Sequence, residues 1–208
     1  MNLWPPMTLR FNNLRPRKEP MSNGRTLSLS TVTAVIHAPI EKVDIADWLF
    51  NLPEAEYQRC SHAHIAAGIT STDDGRPMSI NVETIGDALL IQHYVAEVCE
   101  PHVCRMVSLS DAITAAGRTK VQVMWELSVR KLDSQTCQYS NHIYISGTEE
   151  FMAFLKEHNI PFERARDARQ QASDSHNREQ TPNFAKSIER RALRQSSAAA
   201  SAATAAAR

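Results

Sequence analysis

Several features that mark large protein classes are missing from this sequence of 208 residues. It has only six glycines, and they do not form the glycine-rich loop that cradles a phosphate group. It has no G-x-S-x-G segment, the turn that presents the nucleophile of many hydrolases. No run of apolar residues approaches the roughly 20 that a helix needs to span a bilayer. The sequence therefore gives no indication of a nucleotide-dependent enzyme, a serine hydrolase or a helical membrane protein.

Cysteine is scarce, and a secretion signal is not evident. Residues 1–20 contain four prolines and no apolar segment of the kind that a signal peptide requires. The four cysteines are therefore expected to be free thiols in the cytoplasm. Cys99, His102 and Cys104 lack the paired spacing and the fourth ligand that are typical of zinc sites. We expect neither a metal nor another cofactor.

The formal charge is zero, but it is unevenly distributed. Residues 1–25 and 159–208 each carry an excess of four basic side chains, whereas residues 26–158 carry an excess of eight acidic ones. An acidic body lacks the clustered basic face that nucleic-acid binding needs. Nucleic acid is therefore not expected as a partner, and the basic ends are expected to be solvated.

The spacing of hydrophobic residues changes along the chain. From the N-terminal side it is typical of one strand, then of two helices and then of a series of strands. Residues 27–39 are rich in Val, Ile and Thr and predict a strand that ends at Pro39. Two short helices are predicted next, the second over 54–61. From Ile65 to 146 the period is two, which predicts about six antiparallel strands. This order indicates an α+β fold.

The C-terminal part returns to a helical period. Thr148 is a predicted N-cap for a helix that Pro161 interrupts. A charged helix is predicted over 162–174, and another from Thr181-Pro182 to about Arg194. The alanine- and serine-rich residues 197–208 predict a disordered tail.

The phrase "VIHAPIEKV" at 35–43 resembles one found in the START-like superfamily, also called SRPBCC, where the first strand enters the first helix. The matching positions are Ile36, Ala38, Pro39, Glu41 and Val43. The resemblance implies a helix-grip fold, in which a curved antiparallel sheet of about six or seven strands wraps around a C-terminal helix above an apolar pocket. The resemblance covers about residues 27–160. Together with the composition of the ends, it predicts an irregular leader (1–25), a helix-grip domain (26–160), additional C-terminal helices (161–196) and a disordered tail (197–208).

Alternation along the strands predicts which side chains line that pocket. The predicted concave face is apolar and comprises Met78, Ile80, Val82, Leu89, Ile91, Val95, Val103, Val107, Val121, Val123, Trp125 and Leu127. His93, Arg105, Tyr139 and Asn141 interrupt it with polar groups. A mainly apolar pocket with a few polar groups is typical of small-molecule sites. The predicted ligand-binding residues are Ile91, His93, Arg105, Val107, Val123, Trp125, Tyr139 and Asn141.

Each polar residue also has a structural interpretation. Arg105 could lie at the sheet rim and pair with Glu97. His93 could be a structural histidine, and Tyr139 and Asn141 would face water if their strand shifted by one residue. His62 and His64 are expected to be exposed, and metal binding by them is not expected.

Three functional hypotheses follow from the pocket and the resemblance. The first is a protein that binds, and could carry, a small hydrophobic or aromatic molecule, as lipid-transport relatives do. The second is a cyclase, aromatase or dehydratase of the polyketide cyclase type, without a metal or nucleotide cofactor. Its candidate catalytic residues are His93, Arg105 and Tyr139, which would act as acid–base and orienting groups. The third is an interaction module in which helices 162–194 dock on a partner, and the sequence leaves a homodimer open.

Overall fold

The computed structural model describes residues 24–206, with side chains described as far as residue 194. Most of the predicted leader therefore lies outside the described residues. The strands are β1 (Thr26–Ile36), β2 (His64–Ser71), β3 (Pro77–Ile85), β4 (Ala88–Glu100), β5 (Val103–Thr114), β6 (Gly117–Lys131) and β7 (Cys137–Gly147). The helices are α1 (Ile45–Phe50), α2 (Glu54–Gln58), α3 (Glu149–Glu157) and α4 (Phe162–Ala206), with a 3-10 turn at Ile40–Lys42. None of the helices described is long and apolar enough to cross a membrane.

All seven strands form one antiparallel sheet in the order β1-β7-β6-β5-β4-β3-β2. The five consecutive pairs from β2 to β7 are joined by short turns, while β1 pairs with β7, which lies about 100 residues further along the chain. The predicted helix-grip architecture is confirmed, because the long helix α4 packs across this sheet and contacts β1 most extensively. The predicted α+β class is also confirmed.

The two short helices after β1 are present as predicted. Asp44 caps α1, because its carboxylate accepts a hydrogen bond of 2.8 Å from the backbone N–H of Asp47. The buried face of α1 carries Ile45, Trp48 and Leu49. These side chains share one hydrophobic cluster with the sheet and α4, so that α1 closes one end of the core.

The C-terminal helices differ from the prediction. Residues 162–206 form one helix, α4, with Pro182 inside it, whereas the sequence predicts a break before Thr181 and disorder after 197. A proline has no N–H for the helix ladder, but Thr181 donates a hydrogen bond of 2.6 Å to the carbonyl of Asn177 and Asn183 donates one of 3.1 Å to that of Glu179. Packing of residues 184–192 on the sheet holds the helix beyond the proline, and these side-chain bonds add local support on either side of it.

The sheet-packing helix is therefore α4 and not the predicted helix after Thr148. Phe184, Ala185, Ile188 and Ala192 of α4 are buried in the same cluster as the sheet residues. The predicted boundary at residue 160 would place these side chains outside the domain whose core they fill.

The inward faces of β3 and β4 are the reverse of the predicted ones. The buried positions are Ser79, Asn81, Glu83 and Ile85 on β3 and Ala88, Leu90, Gln92, Tyr94 and Ala96 on β4. The side chains predicted to line the pocket, Met78, Ile80, Val82, Leu89, Ile91, His93 and Val95, point to the outer face. Both faces of these strands carry apolar residues, so that alternation alone does not identify the inward one. In the structure, the ring of Tyr94 packs 5.1 Å from that of Trp125 inside the sheet, which favours the face of β4 that carries Tyr94 as the inward one.

Strand β5 is reversed in the same way, whereas β6 and β7 follow the prediction. Val103 and Val107 of β5 point outward, and Cys104, Met106, Ser108 and Ser110 point inward. On β6 and β7 the buried positions include Val121, Val123, Trp125, Leu127, Tyr139 and Asn141, as predicted. The sheet interior is therefore apolar on one side and rich in polar groups on the other.

Candidate functional site

A small cavity lies between the sheet and the middle of α4. Its volume is about 30 Å³, enough for one or two water molecules. Apolar groups of β6 and β7, among them Val123 and Trp125, form one wall. The other wall is polar and consists of Asn81, Glu83, Gln92, Arg169, Ser173, His176 and Gln180. We call this space the inner cavity. Its lining is part apolar and part polar, whereas the sequence predicts a mainly apolar pocket.

A larger cleft opens beside it. This outer cleft has a volume of about 750 Å³ and lies between α3, α4 and the turns that end β3 and β5. Its apolar lining comprises Phe151, Phe154, Leu155, Ile160, Ala165, Ala168 and Ala172. Ile85, Arg169 and His176 border both the outer cleft and the inner cavity. The two spaces therefore adjoin, with an apolar outer part and a polar inner end.

The turn between β3 and β4 sets the position of α4 over this cleft. Gly86 adopts a φ of 67°, a conformation that other residues rarely take. A Cβ atom at Gly86 would lie 3.1 Å from the Cβ of Ala172. The small residues at these two positions allow the helix to pass close over the turn.

Arg169 stands where the two spaces meet. Its guanidinium has five N–H donors, and one of them lies 3.4 Å from the carbonyl oxygen of Ile85. Burial lowers the pKa of Arg169, and the nearby charge of Asp87 opposes that effect. Arg169 thus brings a positively charged side chain to the junction of the two spaces.

A cluster of ionisable groups lies at the polar end. Glu83 of β3 accepts a hydrogen bond from the hydroxyl of Tyr57 on α2. His64, at the start of β2, stacks on the Tyr57 ring at 3.9 Å, and its Nδ1 lies 2.7 Å from the Tyr57 carbonyl oxygen. His176 of α4 directs its Nε2 toward the Glu83 carboxylate at 3.7 Å. Gln180 follows one helical turn after His176, so that both side chains face the same space.

The pKa values of two members of this cluster depart from their usual range. Burial raises the pKa of Tyr57 far above its usual value, and the charge of Glu83 adds to this, so that the hydroxyl stays protonated and donates. Burial lowers the pKa of His176, although the charge of Glu83 opposes the effect. His176 is therefore neutral over a wider pH range than an exposed histidine.

His64 corrects a prediction, because the sequence suggested that both His62 and His64 are exposed. His64 is only 6% exposed, since it lies between Tyr57 and α4. His62 points outward and pairs with Glu179 at 2.7 Å.

His93 and Arg105, which were predicted to extend into the pocket, lie on the outer face. His93 is exposed, and Arg105 pairs with Glu126 on the neighbouring strand rather than with Glu97. The predicted apolar partners Ile91 and Val107 point outward with them. The placement of these four residues in the pocket was wrong, because the outer face of β4 and β5 is as apolar as the inner one.

Four predicted residues do lie inside the sheet. Val123 and Trp125 line the inner cavity. Asn141 is held by two hydrogen bonds, since it accepts from Trp125 Nε1 at 2.8 Å and donates to Thr181 at 3.1 Å. Tyr139 is fully buried, and its hydroxyl has no hydrogen-bond partner among the residues described. Asn141 and Tyr139 thus stabilise the core beside the cavity, which they do not line.

The sequence interpretation missed Glu83, His176 and Arg169. Glu83 lies in a strand whose other face appeared to be the apolar one. His176 and Arg169 lie in the segment that the resemblance did not cover. The sequence does contain one signal for Glu83. Ser79, Asn81 and Glu83 are spaced two residues apart, which places three polar side chains on the same face of the strand.

Comparisons with known proteins find similarity in structure only. No family model matches the sequence, and no curated protein matches it either. The crystal structure of the Zhui aromatase/cyclase from Streptomyces sp. R1128 is similar, with a TM-score of 0.55 and 12% identity over 80% of this chain and 94% of that one. A START superfamily protein from Mycobacterium smegmatis has a TM-score of 0.44 and 14% identity, over 80% and 98% of the two chains. The chain therefore shares its helix-grip fold with the Zhui protein, and at 12% identity the likeness shows the fold alone.

Proposed function

We propose that this protein binds a small hydrophobic or aromatic molecule in the outer cleft, with an oxygen of that molecule directed at Arg169. The observation that carries the proposal is the cleft of about 750 Å³ with apolar walls and a guanidinium at its inner end. We place this function in the cytoplasm, which agrees with the four free thiols.

The size and lining of the cleft support a ligand of this class. Small-molecule sites commonly have volumes of about 300–1,000 Å³ with apolar walls and few polar groups. The aromatic rings of Phe151 and Phe154 line the cleft on the α3 side, and on the α4 side three alanines lie among polar side chains such as Arg164 and Gln171. Such walls favour flat or aliphatic groups through burial of apolar surface.

The polar end supports a ligand that carries an oxygen. A carbonyl, phenolate or carboxylate that reaches Arg169 would gain charge-assisted hydrogen bonds. It would also approach the inner cavity, where the Oε1 atom of Gln92 has no hydrogen-bond partner among the described residues. The orienting role that the sequence assigned to Arg105 is therefore proposed for Arg169.

Fluorescent probes test the cleft directly. Anilinonaphthalene sulfonate combines an aromatic body with an anionic group, and phenylnaphthylamine is a neutral counterpart. We expect Ala168→Trp, which fills the cleft from α4, to weaken the binding of both probes by about tenfold or more, a loss of roughly 1.4 kcal/mol. We expect Arg169→Met to weaken only the binding of the sulfonate.

Two kinds of control accompany the titrations. Ala153→Trp places the same ring on an exposed position of α3 that does not line the cleft, and it should leave both affinities unchanged. His93→Ala should also leave them unchanged, because His93 points away from both cavities. Equal affinities in Ala168→Trp and Ala153→Trp would rule out the cleft as the binding site.

A second candidate function is the acid–base conversion of the bound molecule, such as ring closure or dehydration. The observation that favours it is the Glu83 carboxylate at the polar end, with Tyr57 and His176 beside it. A carboxylate there can take a proton from a carbon next to a carbonyl group. The Zhui protein, which shares the fold, is an aromatase/cyclase. With a candidate polyketide substrate, turnover that survives Glu83→Gln would rule out this role.

A further inference from the structure

Three buried side chains that could bind a metal ion converge below α4. His64 comes from β2, Glu83 from β3 and His176 from α4, and all three are buried. Their candidate ligand atoms all lie within 4.8 Å of one another. Three separate elements must pack correctly to bring them together, which distinguishes this cluster from an exposed group of acidic residues.

The distances within the cluster are too long for hydrogen bonds and slightly longer than those between ligands around a zinc ion. His64 Nε2 lies 3.8 Å from Glu83 Oε1, and His176 Nε2 lies 3.7 Å from Glu83 Oε2. Hydrogen bonds of this type span about 2.7–3.2 Å. Ligand atoms bound tetrahedrally to zinc at about 2.0–2.1 Å are roughly 3.3–3.4 Å apart. A small contraction would therefore complete a metal site, and the space between these atoms is wider than a direct bond requires.

The outward hydrogen bonds of the two histidines leave their Nε2 atoms directed inward. The Nδ1 atom of His64 lies 2.7 Å from the carbonyl oxygen of Tyr57, so that Nδ1 carries the proton that is donated. The Nε2 atom of a neutral His64 then carries a lone pair that faces the Glu83 carboxylate. A lone pair opposite an anion is unfavourable unless a positive charge lies between them.

The carboxylate also needs a positive partner. The side chain of Glu83 is only 7% exposed, and burial of a carboxylate costs several kcal/mol unless it is paired. Within 4 Å of its oxygens, the only ion-pair partners in the described part of the chain are His64 and His176. The charge must therefore come from an imidazolium or from a bound cation.

A second layer of contacts holds each of the three side chains in place. The Tyr57 carbonyl orients His64, the Tyr57 hydroxyl donates to Glu83, and the Ser61 hydroxyl lies 3.4 Å from Nδ1 of His176. Histidines that bind metals usually engage their other ring nitrogen in this way, with a carbonyl, a carboxylate or water. The same arrangement fixes which nitrogen of each ring faces the centre of the cluster.

We propose that His64, Glu83 and His176 bind one zinc ion through the two Nε2 atoms and the carboxylate. Two histidines and one glutamate form a known ligand set for zinc with an open fourth position. Glu83, His176 and Gln180 border the inner cavity, which has room for a water molecule that could serve as a further ligand, and Gln180 Oε1 lies 3.3 Å from His64 Nε2. The sequence-based expectation of no metal site is thereby revised. The inference does not depend on an organic ligand in the outer cleft.

Metal titration of the full chain tests this proposal without any organic ligand. The protein is stripped with a chelator, and Zn²⁺ is added in a calorimeter while Co²⁺ is followed by visible absorption. We expect one Zn²⁺ per chain and Co²⁺ bands typical of four-coordinate nitrogen and oxygen ligands. Absence of stoichiometric Zn²⁺ binding to the wild-type chain would overturn the proposal.

Near-isosteric variants identify the ligands. Loss of a residue that only hydrogen-bonds a metal ligand weakens metal binding by about 10- to 100-fold. Loss of a ligand itself should cost more, so we expect Glu83→Gln and His176→Gln each to weaken Zn²⁺ binding by at least about 100-fold. His62→Gln is the matched control, because His62 is close in sequence but exposed, and it should bind Zn²⁺ as the wild type does. Circular dichroism checks that each variant is folded.

The opposite pattern refutes the inference. Zn²⁺ binding that persists in folded Glu83→Gln and His176→Gln but is lost in His62→Gln would place the metal on the surface pair of His62 and Glu179. Failure of the metal site is distinguishable from failure of the proposed ligand site. Ala168→Trp should retain Zn²⁺ binding while losing the probes, and the stripped wild type should retain the neutral probe.

Discussion

The two parts of α4 cover interiors of opposite character. Below residues 184–192 the helix packs Phe184 and Ile188 against Trp48 and Trp125 in a close apolar core. Below residues 169–180 the same helix faces Glu83 and other polar side chains across the inner cavity. One continuous helix on one sheet thus supplies rigid support at one end and chemical groups at the other. The polar end is held in position by packing that lies elsewhere along the helix.

The treatment of polar groups differs between the two parts as well. In the packed part, Trp48 Nε1 donates to Ser187 at 2.9 Å, and Ser187 donates to Glu56 at 2.6 Å. Arg190 completes this chain with a bond of 2.8 Å to the same carboxylate. In the part around the inner cavity, Gln92 Oε1 has no hydrogen-bond partner in the region described. A missing partner beside a cavity is expected where a ligand or water binds.

The largest effect should come from the packed part. Phe184 is 1% exposed, and its ring lies 5.1 Å from Trp48 and 6.2 Å from Trp125. We expect Phe184→Ala to lower the free energy of unfolding by about 3–5 kcal/mol, because a buried aromatic ring is replaced by a cavity. Denaturant titration measures this loss. Leu193→Ala on the exposed side of the same helix should change it by less than about 0.5 kcal/mol, and equal losses would contradict the packing described.

An intermediate, pH-dependent effect is expected at Glu56. Burial raises the pKa of Glu56, but hydrogen bonds from Ser187 and Arg190 and the charges of Arg190 and Arg194 outweigh it, so that the pKa is lowered. A lowered carboxyl pKa stabilises the folded state above the usual value near 4.5, and this contribution is lost as pH falls through the folded-state pKa. Glu56→Gln should therefore lose about 1–3 kcal/mol at neutral pH.

The difference between Glu56→Gln and the wild type should shrink as the pH falls below about 4.5. Urea titrations at neutral and acid pH measure it. Glu54→Gln, at an exposed position of the same helix, should have little effect at either pH. If Glu56→Gln remained less stable than the wild type by the same free energy of unfolding at acid pH, Glu56 would contribute by its shape and not by its charge.

The smallest of the three effects is predicted at Gln92, in the polar part. Gln92 is 4% exposed, yet Gln92→Leu should change the free energy of unfolding by no more than about 1 kcal/mol. It removes one hydrogen bond, from Gln92 Nε2 to the Tyr94 hydroxyl at 3.0 Å, together with the unpartnered Oε1. The Tyr94 hydroxyl borders the inner cavity, so that a water molecule there can replace the lost bond. A loss as large as that of Phe184→Ala would show that the two parts contribute equally to stability.

The sequence predicts the fold well where the alternation is strict. On β6, Val123, Trp125 and Leu127 alternate with Met124, Glu126 and Ser128, so that the inward face could be identified. On β4 the two faces carry Leu89 and Ile91 or Leu90 and Tyr94, and both are apolar. The choice between them depends on α4, which lies more than 60 residues further along the chain, and no local pattern contains that information.

The candidate site could not be predicted from spacing. His64, Glu83 and His176 come from three elements and form no short motif. His176 in particular lies between the helices predicted over 162–174 and from Thr181, and only the fold shows that it belongs to one helix with a buried side. Pro182 added to the error, because a proline is an ordinary signal for a helix start. The packing of α4 on the sheet, which holds the helix beyond this proline, is not visible in the sequence.

The pairing of β1 with β7 has a consequence for synthesis on the ribosome. Thr26 lies opposite Ser146, so that the first strand emerges long before its neighbour, and α4 emerges after both. Contacts this distant in sequence make folding slow. The nascent chain therefore has an open sheet edge and a Glu83 that α4 does not yet cover, and the proposed ion site would form only after His176 of α4 has docked beside that carboxylate.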